Sequence, residues 1–428
     1  MAREYRDSGI EWIGQIPKEW EVELIGNNIK EINDKNDDSS EDNALQFKMG
    51  SIISKKGGDS KYNPESLAAY TKVIEGDIII NGLNLSFDFI SQRVGLVKEK
   101  GVITSTYLTL RPSSLLHSDF INYLFKAYDN CKAFHGMGRG LRQILAYREL
   151  KNQKLIYPLL PEQQKIAYYL DKVCGEVDEM VALQETMIEE LKAYKQSVIT
   201  EAVTKGLNSN APMRDSGIDW IGEIPEHWEV IKLSFLTSKI GSGSTPTGGA
   251  NVYVHEGVKF LRSQNVYFEG LNLNDVAFIT ETIDEEMKGT RVKPGDVLLN
   301  ITGGSIGRCY YVDESLGRAN VNQHVSIIRP TKIETIYLKY SLQSDLGQNQ
   351  IALLQTGGNR EGLSAAALSN FKILFPPMSE QRTIASYLDA KCSEIDSLIA
   401  LKQAKIEELK EYKKSVIYEY VTGKKEVI

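Results

Sequence analysis

Cysteine is scarce in this chain of 428 residues, and the four there are lie far apart. Cys131, Cys174, Cys309 and Cys392 form no Cys-x-x-Cys pair, which argues against a zinc ligand set and a disulfide framework. No apolar run approaches the roughly 20 residues of a membrane span. The first residues, MAREYRDSGIEW, are charged and hold no apolar signal core. These absences point to a reduced, cytoplasmic setting. The five histidines are scattered. No HExxH, no Walker lysine loop and no GxGxxG opening a helix after a strand occurs. Gly303-Gly304-Ser305-Ile306-Gly307 lacks a following Lys-Ser/Thr, so it reads as a tight turn presenting backbone amides. Carboxylate pairs such as Glu189-Glu190 and Glu407-Glu408 fall on helix exteriors, where solvated faces are the default. No catalytic set stands out. A positive excess is missing too: the net charge is -7. The acid gathers in two helical segments and in 34–42, leaving the other long segments near neutral to slightly basic. Composition therefore neither demonstrates nor excludes a local basic face.

What the chain does have is itself, twice. Tyr5 to Val22 reads YRDSGIEWIGQIPKEWEV, and Met213 to Val230 reads MRDSGIDWIGEIPEHWEV. A second block follows each spacer, from Leu160 to Gly206 and from Met378 to Lys424. The spacers are far less alike than the blocks, which suggests one repeated frame presenting two different readers about a pseudo-two-fold axis.

In the second block Ile166, Leu170, Val173, Val177, Met180, Met187, Leu191, Tyr194 and Val198 alternate mostly by four and three residues. Ile384, Leu388, Ile395, Leu398, Leu409, Tyr412 and Val416 repeat the stripe. This is a coiled-coil seam. A helix of about 40 residues, roughly 60 Å at 1.5 Å per residue, cannot bury such a stripe alone; the other copy is the natural partner, antiparallel if a two-fold relates the halves. Cys174 and Cys392 occupy equivalent positions as small seam residues.

Each spacer reads as mixed α/β. Strands are expected at 77–80, 94–97 and 107–111 in the first, and at 258–261, 297–301, 309–312 and 324–329 in the second, with short helices at 120–129 and 335–345. Both carry a Gly-Asp-apolar strand, Gly76-Asp77-Ile78 and Gly295-Asp296-Val297. The four tryptophans, Trp12, Trp20, Trp220 and Trp228, all lie in the entry blocks. They read as apolar staples. Base stacking is the alternative, and their identity between copies argues against it.

The remaining candidates are polar loop residues of the kind that contact nucleic acid, each also compatible with an ordinary solvated loop. Ser242, Ser244 and Thr245 sit in a small hydroxyl-rich stretch able to approach phosphates. Arg262, Gln264 and Asn265 follow a strand, with side chains suited to guanine and adenine edges. Asn320, Asn322, Gln323 and His324 form another cluster, and Asn359 and Arg360 a third. In the first spacer the candidates are Lys55, Lys56, Asn84, Gln92, Arg93, Ser105, Tyr107, Arg139 and Arg142.

The DSGI-x-WIG-x-IP-x-x-WEV entry block, the Gly-Asp strand, and the apolar-Pro turn running into Glu162-Gln163 and Glu380-Gln381 together resemble the DNA-specificity subunit of type I restriction-modification systems. The resemblance covers nearly the whole chain. It implies an α+β protein with two target-recognition domains at opposite ends of an antiparallel two-helix coiled coil. The expected segments are 1–158, the first recognition domain; 159–206, the first helix; 207–230, linker and second entry block; 231–377, the second recognition domain; and 378–428, the second helix and C-terminus. It implies a non-catalytic subunit that binds double-stranded DNA, one domain per half-site, and docks two methyltransferase subunits, with a restriction or translocase subunit as an optional further partner. No cofactor is expected in this chain; S-adenosylmethionine, ATP and magnesium belong to those partners. The family's motifs do not fix base-contacting residues, so the candidates above rest on loop chemistry alone. A two-headed protein-binding scaffold and an enzyme with an unrecognised site are the competing readings.

Overall fold

The computed structural model describes residues 3–55, 67–138, 143–218, 221–354 and 362–427. The chain forms two compact units, 1–185 with 403–428 and 186–402. The expected segment boundaries follow the order of elements along the chain, whereas these units each take part of both long helices.

In the first unit a four-stranded antiparallel sheet runs in the order Ile29–Glu31, Leu108–Pro112, Ile78–Ile80, Val94–Leu96. Ile78, Ile79 and Ile80 are all fully buried, as a continuous apolar strand must be when both faces are covered. Ile78 and Ile80 join a large core with Phe120, Leu124 and Leu170. Ile79 joins a separate small core with Leu45, Val73 and Ile103. The sheet thus separates two layers, one built from the repeated frame and one from the insert. The insert is a hairpin, Leu45–Lys48 with Ser51–Ser54, and a strand pair, Thr71–Val73 with Gly101–Ile103.

The second unit repeats the plan. Its sheet order is Thr237–Ser242, Val325–Pro330, Val297–Asn300, Cys309–Tyr311. Val297 and Leu299 face a core with Tyr337, Ile384 and Leu388, while Leu298 faces Leu261, Val321 and Ile327. Here the insert layer differs: Ala277–Ile279 pairs antiparallel with Val258–Leu261, which pairs parallel with Ala319–Val321. The helix expected to run to 345 stops at Gln343, and a second helix, Asp345–Leu354, begins after Ser344.

The motifs are structural locks. Asp77 is fully buried, accepts two bonds from Arg111 at 2.6 and 2.7 Å, and accepts from the Ile74 amide. Asp296 does the same with Arg329, at 2.7 and 2.8 Å, and the Lys293 amide. Gln163, also fully buried, donates to the Leu115 and Pro158 carbonyls and accepts from the His117 amide. Gln381 donates to the Pro376 carbonyl and accepts from the Glu334 amide. The Glu-Gln motif therefore ties the start of each long helix to the domain beside it. Trp20 and Trp228 are buried. Trp20 packs beside Gly423 and Trp228 beside Gly206, glycines in the left-handed region (φ +68° and +75°) that end the long helices. These two indoles act as staples; Trp220 lies outside the described residues.

The long helices are Leu160–Lys205 and Met378–Val421. Within the first unit they run antiparallel: the Tyr169 ring lies 4.5 Å from that of Tyr420, and Asp178 pairs with Lys413 at 2.7 Å. Within the second unit the repeat-equivalent pair, Lys195 with Asp396, has the same 2.7 Å separation. Such exposed pairs add little stability, about 0–1 kcal/mol each, but they fix register. The seam departs from the expected stripe. Met180, Tyr194, Leu398 and Tyr412 are exposed, whereas Ile188 and Ile406 are buried. A straight helix drifts about 20° per heptad against a 3.5-residue repeat, so a stripe read as strict heptads leaves the buried face. Cys174 and Cys392 are buried, and their thiols are pushed up by that burial. Among the described residues no helix is long and apolar enough to cross a membrane.

Candidate nucleic-acid interface

In the second unit most candidates converge on one end of the four-stranded sheet. Three loops meet there, after Ser242, after Asn300 and before Val325. The Gly243 amide donates to the Val325 carbonyl at 3.0 Å. A Cβ on Gly243 would stand 1.9 Å from the Val321 carbonyl oxygen, so only glycine lets the hydroxyl-rich loop lie this close. The Ile301 amide donates to the His324 carbonyl, and the Asn322 amide donates to the Leu261 carbonyl. A side-chain chain follows the same path. Thr245 bonds Gln323, Gln323 meets His324 at 3.0 Å, and the other His324 ring nitrogen meets the Thr302 hydroxyl at 2.6 Å. Ser242, Thr245 and Gln323 are exposed, with Ser244 and His324 half-buried. Asn322 is mostly buried and accepts from the His324 amide, so it shapes this turn from within.

Arg262 and Gln264 border the same end, since the neighbouring Ser263 carbonyl accepts from Asn300 at 2.8 Å. Both are held by Asp275. Arg262 Nη2 donates to its carbonyl at 2.7 Å and lies 3.3 Å from its carboxylate, and Gln264 Nε2 donates to that carboxylate at 2.6 Å. The Arg262 guanidinium also stands over the Tyr253 ring, 5.9 Å from its centre. Asp275 is 82% exposed, so Arg262 and Gln264 are posed by a carboxylate that solvent or a ligand can reach. Sequence reasoning missed Asp275, because a single loop Asp has no spacing signal.

Two of this unit's candidates are corrected by the structure. Asn265 is buried, accepting from the Arg262 amide at 2.9 Å and donating to the Asn272 carbonyl at 2.8 Å; it staples a loop. Asn320 is fully buried, donating to Asp284 and the Met287 carbonyl and accepting from Thr290. A side chain whose polar atoms are spent inside the protein has none left for a base edge.

In the first unit the equivalent end of the sheet carries Asn84, Gln92, Ser105 and Tyr107. Asn84 and Gln92 are exposed, and Asn84 adopts φ 54° at a turn. The Ser105 hydroxyl donates to the Ala69 carbonyl. Tyr107 is half-buried with its ring 5.8 Å from Phe47. Arg93 is corrected: it is 1% exposed and its guanidinium donates to the carbonyls of Asn81, Leu83 and Asp88 at 3.0, 2.8 and 2.7 Å. It clamps a loop from inside. Lys55 is half-buried just after the insert hairpin, away from that gathering in sequence, its amide bonded to Ala44. Lys56, Arg139, Arg142, Asn359 and Arg360 lie outside the described residues. The loop clamped by Arg93 also exposes Phe87, Phe89 and Ile90. Sequence reasoning passed over them because the loop candidates were chosen for polar side chains.

Comparison with known proteins adds an independent line. A family model described as the type I restriction modification DNA specificity domain matches residues 93–193 and 225–411, one stretch in each half. The type I restriction enzyme MjaVIII specificity subunit of Methanocaldococcus jannaschii is 27% identical over 422 residues, covering 96% of this chain and 94% of that protein. The putative MjaX specificity subunit of the same organism is 26% identical, covering 96% and 95%. A solved chain from a study of complex assembly and conformational transition of the type I R-M system matches with a TM-score of 0.70 at 16% identity, covering 95% of this chain and 99% of that one. That likeness concerns the fold.

Proposed function

The chain belongs to the type I restriction modification DNA specificity family, and from that premise we propose that it reads a split DNA target, one unit per half-site. It is a specificity subunit, acting with DNA and with the other subunits of a restriction-modification complex. The observation that carries the reading is the contrast between frame and inserts. The locks at Asp77 and Asp296, and at Gln163 and Gln381, repeat almost atom for atom. The loops at the matching sheet ends do not: the first unit offers Asn84, Gln92 and an apolar run, the second offers Ser244, Thr245, Gln323, His324 and Arg262. Repeated frames suit a repeated partner, and unlike ends suit two different base sequences.

The finer assignments belong to the same proposal. Two modification subunits dock on the repeated helices and entry blocks, where Lys192 pairs with Glu189 and Lys410 with Glu407, both at 2.9 Å on exposed faces. A restriction or translocase subunit is the optional further partner. S-adenosylmethionine, ATP and magnesium serve those subunits and none is held by this chain. The complex works in the cytoplasm. The test is selection of duplexes from a randomised pool by the chain with its modification subunits, alongside the stoichiometry of the complex. The expected result is two specified blocks separated by a fixed unspecified gap, and two modification subunits per chain at saturation. A single continuous block, or one modification subunit per chain, would contradict it.

Within the second half-site, Arg262→Ala is expected to flatten the preference at one base pair, costing about 1–3 kcal/mol on the cognate base. Competition among singly substituted duplexes measures this. An equal loss on every sequence would make Arg262 a phosphate contact instead.

A further inference from the structure

The two units close the same sheet hairpin differently. In the second unit the Asn300 amide donates to the Arg308 carbonyl at 2.8 Å, and between them lies the short glycine-rich turn. In the first the Asn81 amide donates to the Arg93 carbonyl at 2.8 Å, and the intervening loop is longer and apolar at its tip. Phe87 is 77% exposed, Phe89 54% and Ile90 94%. Met49, 86% exposed, caps the insert hairpin beside this loop, since a Cβ on Gly50 would meet the Gln92 side chain at 2.9 Å. Exposed apolar side chains gathered this closely mark an interaction site.

The loop is held stiffly despite its exposure. Buried Arg93 bonds three of its carbonyls, and Leu85 anchors its base in the core. Phe89 stacks on His135 at 4.7 Å. The one acid at the tip stays ionised, because the Ser91 amide and hydroxyl and the Ile90 amide hold the Asp88 carboxyl down to about 2, and the buried Arg93 guanidinium 3.8 Å away offsets its charge. The tip therefore presents a preorganised apolar edge whose single carboxylate is balanced by Arg93 behind it.

We propose that this loop is a wedge: Phe87 and Ile90 enter a groove of the DNA half-site read by the first unit and unstack one base step. The inference rests on the specificity reading above. Position favours DNA, because the loop occupies the sheet end where the second unit gathers its hydroxyl, amide and guanidinium groups. Divergence favours it too. A docking surface for a partner bound twice would be repeated, as the helix faces are, yet this hairpin is apolar in one unit and polar in the other. Phe, Ile and Met are the residue types that pry base steps apart, and the step that yields most easily is then selected without a hydrogen bond to it.

The experiment uses the full chain with its modification subunits and duplexes carrying the selected target, with 2-aminopurine at successive positions of the first half-site. Binding should raise the fluorescence several-fold at one step. Phe87→Ala with Ile90→Ala should abolish that rise and weaken target binding about tenfold or more, leaving the preference for the second half-site unchanged. Both side chains are exposed, so melting should stay put; if the double variant fails to fold, Ile90→Ser alone carries the test. Selective binding with flat fluorescence at every position overturns the wedge and leaves the specificity reading standing. A wild-type complex that selects no sequence overturns that reading itself. Variants that keep the rise and the affinity but lose the modification subunits would make the loop a protein contact and overturn the wedge.

Discussion

Replacing residues 231–377 with the matching segment of a related specificity subunit should give a protein whose second half-site is the donor's and whose first is unchanged. The graft closes for a geometric reason. Strand Glu229–Lys232 pairs antiparallel with Lys372–Phe375, Val230 facing Leu374 and Ile231 facing Ile373. The first cut falls within this ladder and the second two residues beyond it, so the donor segment enters and leaves the frame at the same strand pair. The first unit has the same device in Glu21–Leu24 with Lys154–Tyr157. Selection from a randomised duplex pool before and after the exchange measures the outcome. Movement of both half-sites together would refute the one-unit, one-half-site reading.

Asp77→Ala and Asp296→Ala should each cost about 3 kcal/mol. Each removes a buried carboxylate that accepts from an arginine twice and from a turn amide once, leaving those donors with poorer partners. The arginines are partly exposed, 39% and 23%, and water recovers some of the loss, which keeps the figure at the low end for a broken buried pair. For units of this size the cost corresponds to a fall of about 6–12 °C in melting temperature. Differential scanning calorimetry should show each substitution lowering the transition of its own unit. Equal and small shifts from both, below about 2 °C, would mean that the Gly-Asp motif is not a lock.

The frame was legible in the sequence because it is written twice. Strand Ile78–Ile80 and its counterpart Val297–Asn300, both long helices and both Glu-Gln starts follow from comparing the copies. What those residues do was harder to see. Gln163 and Gln381 look like exposed helix-start glutamines until their hydrogen bonds to distant carbonyls are known. The candidate interface was legible as a region and blurred as a set of atoms. Arg93, Asn265 and Asn320 have the right chemistry for reading bases, but burial spends it, and burial is a tertiary property that loop composition does not encode. The seam was legible along most of its length, with Ile166, Leu170, Val177, Ile384, Leu388 and Ile395 all buried; Tyr194 and Tyr412 keep helical spacing and yet face water, because a two-helix pair buries only a narrow stripe.

The first unit closes only with residues 403–428. Val416, Ile417 and Val421 are buried in its core beside Trp20 and Phe120, and Gly423 fits under the Trp20 ring. Residues 186–402 are continuous, whereas the first unit waits for 403–428. On the ribosome, therefore, the half encoded second can complete its fold while the half encoded first is still missing a wall. The N-terminal core then stays open until residues 403–428 have left the exit tunnel.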